Sequence, residues 1–389
     1  MDKLIIRFLA LLKNTETSFF RYIYQDIAWQ SRMIGITGPR GVGKTTMVLQ
    51  HIKAHLPVKE TLYVTAEDFY FADNRLLDLA DSFVKQGGRH LFIDEIHQYK
   101  NWSKELKLMY DYYPELQVVF TGSSVLDIKK GAADLSRRAL MYHMQGLSFR
   151  EYLHIFHQII VPAYSLQQLL NHEANQTVIN HPLLLFKDYL KQGYYPFSLH
   201  HNFEQRLLQI VNQTLEKDIP FYAEMNVATA RKLKQLLAII AKSVPFKPNF
   251  SSIAEMLEAS RNNIADYCMY IEEAGMILQL RNHTSGIRGL GKVDKIYLDN
   301  TNLNYILAGD KPDVGNLRET FFINQTRVKH EIASSTIGDF QINDFIFEVG
   351  GKGKSKKQIK EVANAYLLKD DIELAYSNSI PLWHFGLLY

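Results

Sequence analysis

A single cysteine, Cys268, stands in the 389 residues. One thiol cannot close a disulfide within the chain, nor build a cysteine-rich zinc site. So sparing a use of cysteine fits a reducing compartment, and the cytoplasm is the expected location. An excess of charge of one sign is also missing. Lys+Arg 44 against Asp+Glu 41 gives a net charge of +3, too weak a field to argue for a nucleic-acid partner by itself. A local basic patch is the remaining route to one. No apolar run approaches the roughly 20 residues of a membrane span, so no membrane partner is expected. Internal repeats and long low-complexity linkers are lacking too. The opening MDKLIIRFLALLKN carries no cleavage-site pattern, and Leu4, Ile5, Phe8, Leu11 and Leu12 recur at helical spacing. That spacing predicts a packed N-terminal helix. What is plentiful is ordinary: 47% hydrophobic and 22% charged residues exclude a disordered chain, a collagen-like chain and a simple coiled coil. The length predicts two to four domains. The 22 Tyr and 22 Phe read as large cores and packed helix interfaces.

The first third carries the informative chemistry. Arg32–Thr46 reads RMIGITGPRGVGKTT, a short apolar run followed by Gly38-Pro39-Arg40-Gly41-Val42-Gly43-Lys44-Thr45-Thr46 and then the helical pattern MVLQHIKAHL. This is G-x-x-x-x-G-K-[ST] between a strand and a helix. Glycines let backbone N–H groups turn around phosphates, Lys44 adds a charge at the terminal phosphates, and the Thr45 hydroxyl can ligate Mg²⁺. The helix presents its N-terminus to the anion. About fifty residues beyond Lys44, HLFIDE (90–95) supplies an apolar strand ending in two carboxylates. Asp94 is expected to hold the Mg²⁺ shell and Glu95 to activate or position water; a solvated helix cap is the plainer role for Glu95. QVVFT (117–121) is expected beside the phosphate-loop strand, followed by Ser123 and Ser124. Ser123, ahead of Ser124, is read as a sensor of the terminal phosphate or of the water, against a helix N-cap. TLYVT (61–65) makes another strand, and the alternation predicts a parallel sheet covered on both faces. His97 reads as structural more readily than catalytic, with Trp102 packing the helix that follows.

GPRGVGKTT, YVTAEDFYF, LFIDEIHQYKNW, VVFTGSSVLDI and DLSRRALMYHMQGLSFREYL together resemble the prokaryotic AAA+-type (STAND-related) P-loop ATPases, whose members carry a C-terminal domain of unknown function (DUF4143-like) with a nuclease-like fold. The resemblance covers nearly the whole chain and is most specific over 30–155. It implies an AAA-like core binding ATP with Mg²⁺, and often an oligomer sharing its ATP sites. It also implies an arginine finger at Leu135-Ser136-Arg137-Arg138, with Arg138 aligning best and Arg137 adjacent; a surface ion pair is the plainer alternative. LSFREY (147–152) matches the family's boundary into a helical region, with Ser148 as an N-cap.

The stretch 249–281 suggests a helix–turn–helix, and Lys295–Leu298 a strand after a glycine-bearing loop, the pattern of a winged helix. Arg261, Asn262 and Asn263 would begin the recognition helix, with Arg281, Arg288 and Lys292 in the wing. A protein–protein module is the competing role, and Glu272 and Glu273 would repel phosphate. For the end of the chain the resemblance implies a PD-(D/E)xK-like domain with Glu319, Asp339 and Glu348 as metal-holding carboxylates. The sequence departs from that pattern. Glu348-Val349-Gly350 has no lysine two residues after the glutamate, and the site is expected to be degenerate unless Lys352 or Lys354 takes that place. Lys352, Lys354, Lys356, Lys357 and Lys360 form a basic run suited to DNA phosphates.

The expected architecture is therefore α/β: an AAA-like ATPase domain at 1–150, a helical region at 151–235, a winged helix at 236–310 and a degenerate nuclease-like α/β domain at 311–389. The expected function is Mg²⁺-dependent ATP hydrolysis coupled to DNA or to a protein partner. The alternatives are a slow nucleotide-dependent switch or scaffold, and an ATP-regulated metal-dependent nuclease.

Overall fold

The computed structural model describes residues 1–123, 135–243, 245, 247–282, 292–308, 312–351, 353–354, 362 and 364–389, without the side chains of Leu199 and Tyr222. The chain divides into two compact units, Met1–Gly146 and Leu147–Tyr389.

In the first unit, short runs of β-branched and aromatic residues form strands β1 (Met33–Thr37), β2 (Thr61–Thr65), β3 (His90–Asp94), β4 (Gln117–Gly122) and β5 (Leu140–His143). They lie in the order β2-β3-β4-β1-β5, and every pairing is parallel. β1 is buried along its whole length, as expected of a strand covered on both faces. Helices α1 (Asp2–Lys13), α2 (Lys44–His55), α3 (Tyr70–Asp73), α4 (Leu76–Lys85) and α5 (Trp102–Tyr112) belong to the same unit. In α1, Leu4, Phe8 and Leu12 are buried and Phe8 stacks near Tyr63, while Leu11, expected on the packed face, is exposed. Leu11 lies one residue off the buried i, i+4, i+8 line, so it turns outward.

The arrangement puts the carboxyl ends of β1, β3 and β4 side by side. In open parallel sheets, ligands bind at that end. The phosphate-binding loop leaves β1 there, and Asp94 and Ser123 arrive from the neighbouring strands.

The second unit opens with α6 (Phe149–His157), capped by Ser148 in a full capping box with Glu151. Further helices include α7 (Pro182–Gln192), α8 (Phe203–Gln213) and α9 (Val227–Ser243). Next come α10 (Phe250–Met256), capped by Asn249, and α11 (Arg261–Glu273), capped by Ser260. Strands β6 (Ile277–Arg281) and β7 (Val293–Leu298) form an antiparallel ribbon. After α12 (Thr301–Leu307) and α13 (Val314–Thr326) comes a mixed sheet of β8 (Ala333–Ser334), β9 (Phe340–Ile342), β10 (Phe345–Gly350), β11 (Ala365–Lys369) and β12 (Ser379–Pro381). β8, β9 and β10 run antiparallel in turn, whereas β11 and β12 continue parallel to β10. An aromatic core of Phe149, Phe186, Tyr189, Phe321 and Trp383 holds α6, α7, α13 and the chain end together.

Candidate nucleotide site

The loop 38–43 takes its shape from glycine. Gly38 has φ +149°, and a Cβ there would lie 2.1 Å from the Met144 carbonyl oxygen. Gly43 caps α2 in the left-handed region at φ 97°, where a side chain is strained. Arg21, buried and unforeseen in the sequence, ties the loop down. Its guanidinium donates to the Val42 carbonyl, and to those of Gln145 and Gly146 at 2.8 and 2.9 Å. Lys44 is also buried, and its Nζ donates to the carbonyls of Gly38 and Pro39 at 2.8 and 2.9 Å. Burial pushes the Lys44 pKa down, while Glu95 and Asp94 pull it up. Arg40 and Gly41 line the loop, and Thr46 follows Thr45 on the first turn of α2.

Thr45 and Asp94, each expected to hold Mg²⁺, lie together: Thr45 Oγ1 donates to Asp94 Oδ2 at 2.7 Å. Two further hydroxyls converge on the same buried carboxylate, Tyr63 on Oδ2 at 2.7 Å and Thr121 on Oδ1. Neither was singled out in the sequence; the only signal is a hydroxyl on each neighbouring strand. A hydroxyl and a carboxylate are the hard oxygen donors Mg²⁺ takes, with phosphate oxygens and water completing its shell. The residues fit that ion.

Glu95 sits in the left-handed region, φ 50° and ψ 42°, at the turn after β3. A non-glycine residue held there costs about 1–2 kcal/mol, and such strain clusters at functional sites. Its N–H faces Thr121 Oγ1 at 3.4 Å, and Ser123 Oγ donates to Glu95 Oε2 at 3.0 Å. Burial raises the Glu95 pKa, but the cations Lys44 and Arg40, with His97 and the Ser123 hydrogen bond, bring it below its usual range. Ser123 thus stands beside Glu95. Ser124 lies outside the described residues.

Arg138 is engaged within its own chain: Nε and Nη2 grip the Asp111 carboxylate at 3.0 and 3.1 Å. It precedes β5, at the end of the sheet opposite the phosphate loop, so a role at the nucleotide would have to be played on another copy. Arg137 is exposed. If Arg138 or Arg137 serves the nucleotide of another copy, its loss is expected to cut ATP turnover and leave binding intact. Mixing that variant with Glu95→Gln protein would then restore activity. A monomer with full turnover at every concentration would remove the idea.

In the second unit Arg261, Asn262 and Asn263 form the exposed first turn of α11, and Lys292 is exposed. Glu272 does not face a phosphate as expected. It turns inward, accepting from the backbone N and side-chain Nε2 of Gln279, both at 2.7 Å. Arg288, Lys352, Lys356, Lys357 and Lys360 lie outside the described residues.

Glu319, Asp339 and Glu348 come together as expected, but with companions that the sequence pattern did not reveal. Lys295 Nζ lies 3.3 Å from Glu319 and 3.7 Å from Asp339, and Tyr297 donates to Glu319 at 2.6 Å. Asp339 accepts from the Val349 N–H at 2.9 Å. The missing ammonium arrives from further along the chain: Lys354 Nζ lies 2.5 Å from Glu348 Oε1. Its aliphatic stem occupies the space a side chain at Gly350 would need, 2.6 Å from the would-be Cβ. Lys354 thus pairs with Glu348 while its side chain stays 38% exposed. Among the described residues, no group of three or more His, Cys, Asp or Glu side chains is placed to hold a metal ion.

Residues 30–153 match the model of the AAA domain family, and residues 183–313 that of a domain of unknown function (DUF8612), a different domain from the one named by the resemblance. An uncharacterized protein of Methanocaldococcus jannaschii is 24% identical over 296 residues, which are 71% of this chain and 62% of that protein. Structural similarity to Caenorhabditis elegans PCH-2 has a TM-score of 0.25 at 14% identity, covering 70% of this chain and 67% of that one. For the Saccharomyces cerevisiae Hsp104–ADP complex the TM-score is 0.29 at 16% identity, covering 70% and 39%. At such scores neither structure bears on the fold or the function. The match over residues 30–153 and the loop geometry both make this part of the first unit similar to the nucleotide-binding AAA domains. Among the described residues no helix is long and apolar enough to cross a membrane.

Proposed function

We propose that this chain binds ATP with Mg²⁺ on its phosphate loop, hydrolyses it, and couples the turnover to DNA or to a protein partner. The observation that carries the reading is the meeting of Thr45 with Asp94 at 2.7 Å, with Glu95 as the next residue. Bound Mg²⁺ would supply charge neutralisation at the terminal phosphates, held by Thr45 and Asp94. Lys44 would exchange its two carbonyl acceptors for phosphate oxygens. Glu95 would orient the attacking water and take its proton, and Ser123 would offer its hydroxyl to the terminal phosphate.

For the target of that work, DNA is supported by α10 and α11 followed by the β6–β7 ribbon, the order of elements in a winged helix. The exposed Arg261, Asn262, Asn263 and Lys292 are the expected contacts. The test is ATP turnover measured alone and with single-stranded, duplex and branched DNA. Stimulation that fades steeply with salt supports a DNA-coupled ATPase. Tight ATP binding without turnover identifies a switch, and DNA indifference at low salt points to a protein partner.

For the C-terminal cluster we infer no metal-dependent strand cleavage. Lys295, Tyr297 and Lys354 already compensate the carboxylates that a metal would need. Burial raises the pKa values of Glu319 and Glu348, which further disfavours a charged ligand set. No cleavage of linear, nicked or branched DNA is expected with Mg²⁺ or Mn²⁺. Cleavage lost in Asp339→Ala but retained in Lys44→Ala would overturn this.

A further inference from the structure

His97 is buried to 4% exposure on the turn that follows Glu95, and nothing in the proposed chemistry uses it. Its Nε2 lies 3.1 Å from Gln98 Nε2 and 3.5 Å from Ser123 Oγ. An amide nitrogen can only donate, so the Nε2 facing it must accept, and the proton of a neutral imidazole then sits on Nδ1. Burial favours the neutral ring, pushing the His97 pKa down to about 4. Nδ1 in turn lies 3.4 Å from Glu95 Oε2, without reaching hydrogen-bond geometry. A buried donor left in that state carries a cost of about 1–3 kcal/mol.

The same oxygen, Glu95 Oε2, is held at 3.0 Å by Ser123. Ser123 has a single hydroxyl proton, so it can give that proton to Glu95 or to a phosphate, but not to both at once. If Ser123 turns to the nucleotide, Glu95 loses this donor at the moment its direction matters.

We propose that His97 is a positioning residue for hydrolysis: its Nδ1–H takes over Glu95 Oε2 when Ser123 turns to the terminal phosphate, and so keeps the carboxylate aimed at the attacking water. This rests on Glu95 being the water-activating group. His97 moves no proton and touches no phosphate. Its part is to replace one hydrogen bond with another.

The experiment uses the full chain with three substitutions. Asparagine places an N–H near the position of the imidazole Nδ1, whereas glutamine reaches toward Nε2. His97→Ala and His97→Gln should lower kcat by about 10- to 100-fold, up to the cost of misplacing a catalytic group by about 1 Å, with KM and ATP affinity within twofold of the parent. His97→Asn should recover most of the rate. A second readout is free of turnover. ADP with aluminium fluoride, a mimic of the phosphoryl group in transfer, should form a tight complex with the parent and His97→Asn and a weak one with His97→Ala, while ADP alone binds all three alike. Wild-type kcat in His97→Ala overturns the proposal. So do equal rates for Asn and Gln, or loss of ATP binding in His97→Ala, which would mark a purely structural histidine. Glu95→Gln is assayed alongside. If it is inactive while His97→Ala is fully active, the proposal alone fails; if Glu95→Gln turns over normally, the reading beneath it fails as well.

Discussion

Lys44→Ala will abolish tight ATP binding, lowering affinity by about 10- to 100-fold or more. A hydrogen bond from a charged donor is worth about 1.5–3 kcal/mol, and each 1.4 kcal/mol is tenfold in affinity. The structure adds a reason why the loss falls on the nucleotide rather than on the fold. Lys44 Nζ bonds two carbonyls of its own loop, at Gly38 and Pro39, and these close the site around a buried charge until a phosphate takes their place. Alanine removes a desolvated cation together with its acceptors' partner, so the fold loses little, whereas an incoming phosphate loses its ammonium. Equilibrium binding of a fluorescent ATP analogue, followed by thermal unfolding with and without ATP, checks both halves. Unchanged affinity would remove Lys44 from the site. The parent's melting temperature should rise with ATP because ligand that binds only the folded state stabilises it; that of the variant should not.

Glu95→Gln should show the complementary defect, with ATP held as tightly as by the parent and turnover down about 10²–10⁴-fold. Glutamine preserves the size of the side chain and can still accept the Ser123 hydroxyl, and Asp94 with Thr45 is untouched. What disappears is a carboxylate that can take a proton. Burial alone would push the carboxyl pKa up and leave less of the group ionised, but the surrounding cations hold it low and the group ionised at neutral pH. Single-turnover hydrolysis beside equilibrium binding separates the two quantities. Parental turnover in Glu95→Gln would show that another group handles the water.

The two sites were legible in the sequence to different degrees, for a physical reason. The phosphate loop is local: a dozen consecutive residues determine strand, turn and helix start, and Gly38 and Gly43 are needed where they stand. HLFIDE is legible for the same reason, since the strand and its two carboxylates are contiguous. Tyr63, Thr121 and Arg21 act across the fold, joining residues brought together only by strand order, and one chain read along its length does not show which hydroxyl ends beside Asp94. Ser123 was identifiable as a strand-end hydroxyl, but its bond to Glu95 needed β3 and β4 side by side. The spacing rule failed at Gly350 because the chain doubles back. Lys354 returns to Glu348 from six residues away, and Lys295 arrives from β7. Glu272 misled for a similar reason: its charge suggested a repelling surface, but its partner Gln279 begins the next strand and draws it inward.

Arg21 has a consequence for how the loop meets its ligand. A guanidinium cannot lose its proton under ordinary conditions and presents several donors in a fixed plane. From that plane it fastens the loop at Val42 and the chain near Gln145 to one rigid point. A loop fixed in advance gives up little conformational freedom when an anion arrives, so more of the interaction energy is expressed as affinity. Lysine at position 21 would keep the charge but hold the same carbonyls on a flexible stem. The loop would then have to order itself with each nucleotide it captured, and weaker binding would come with a more unfavourable entropy.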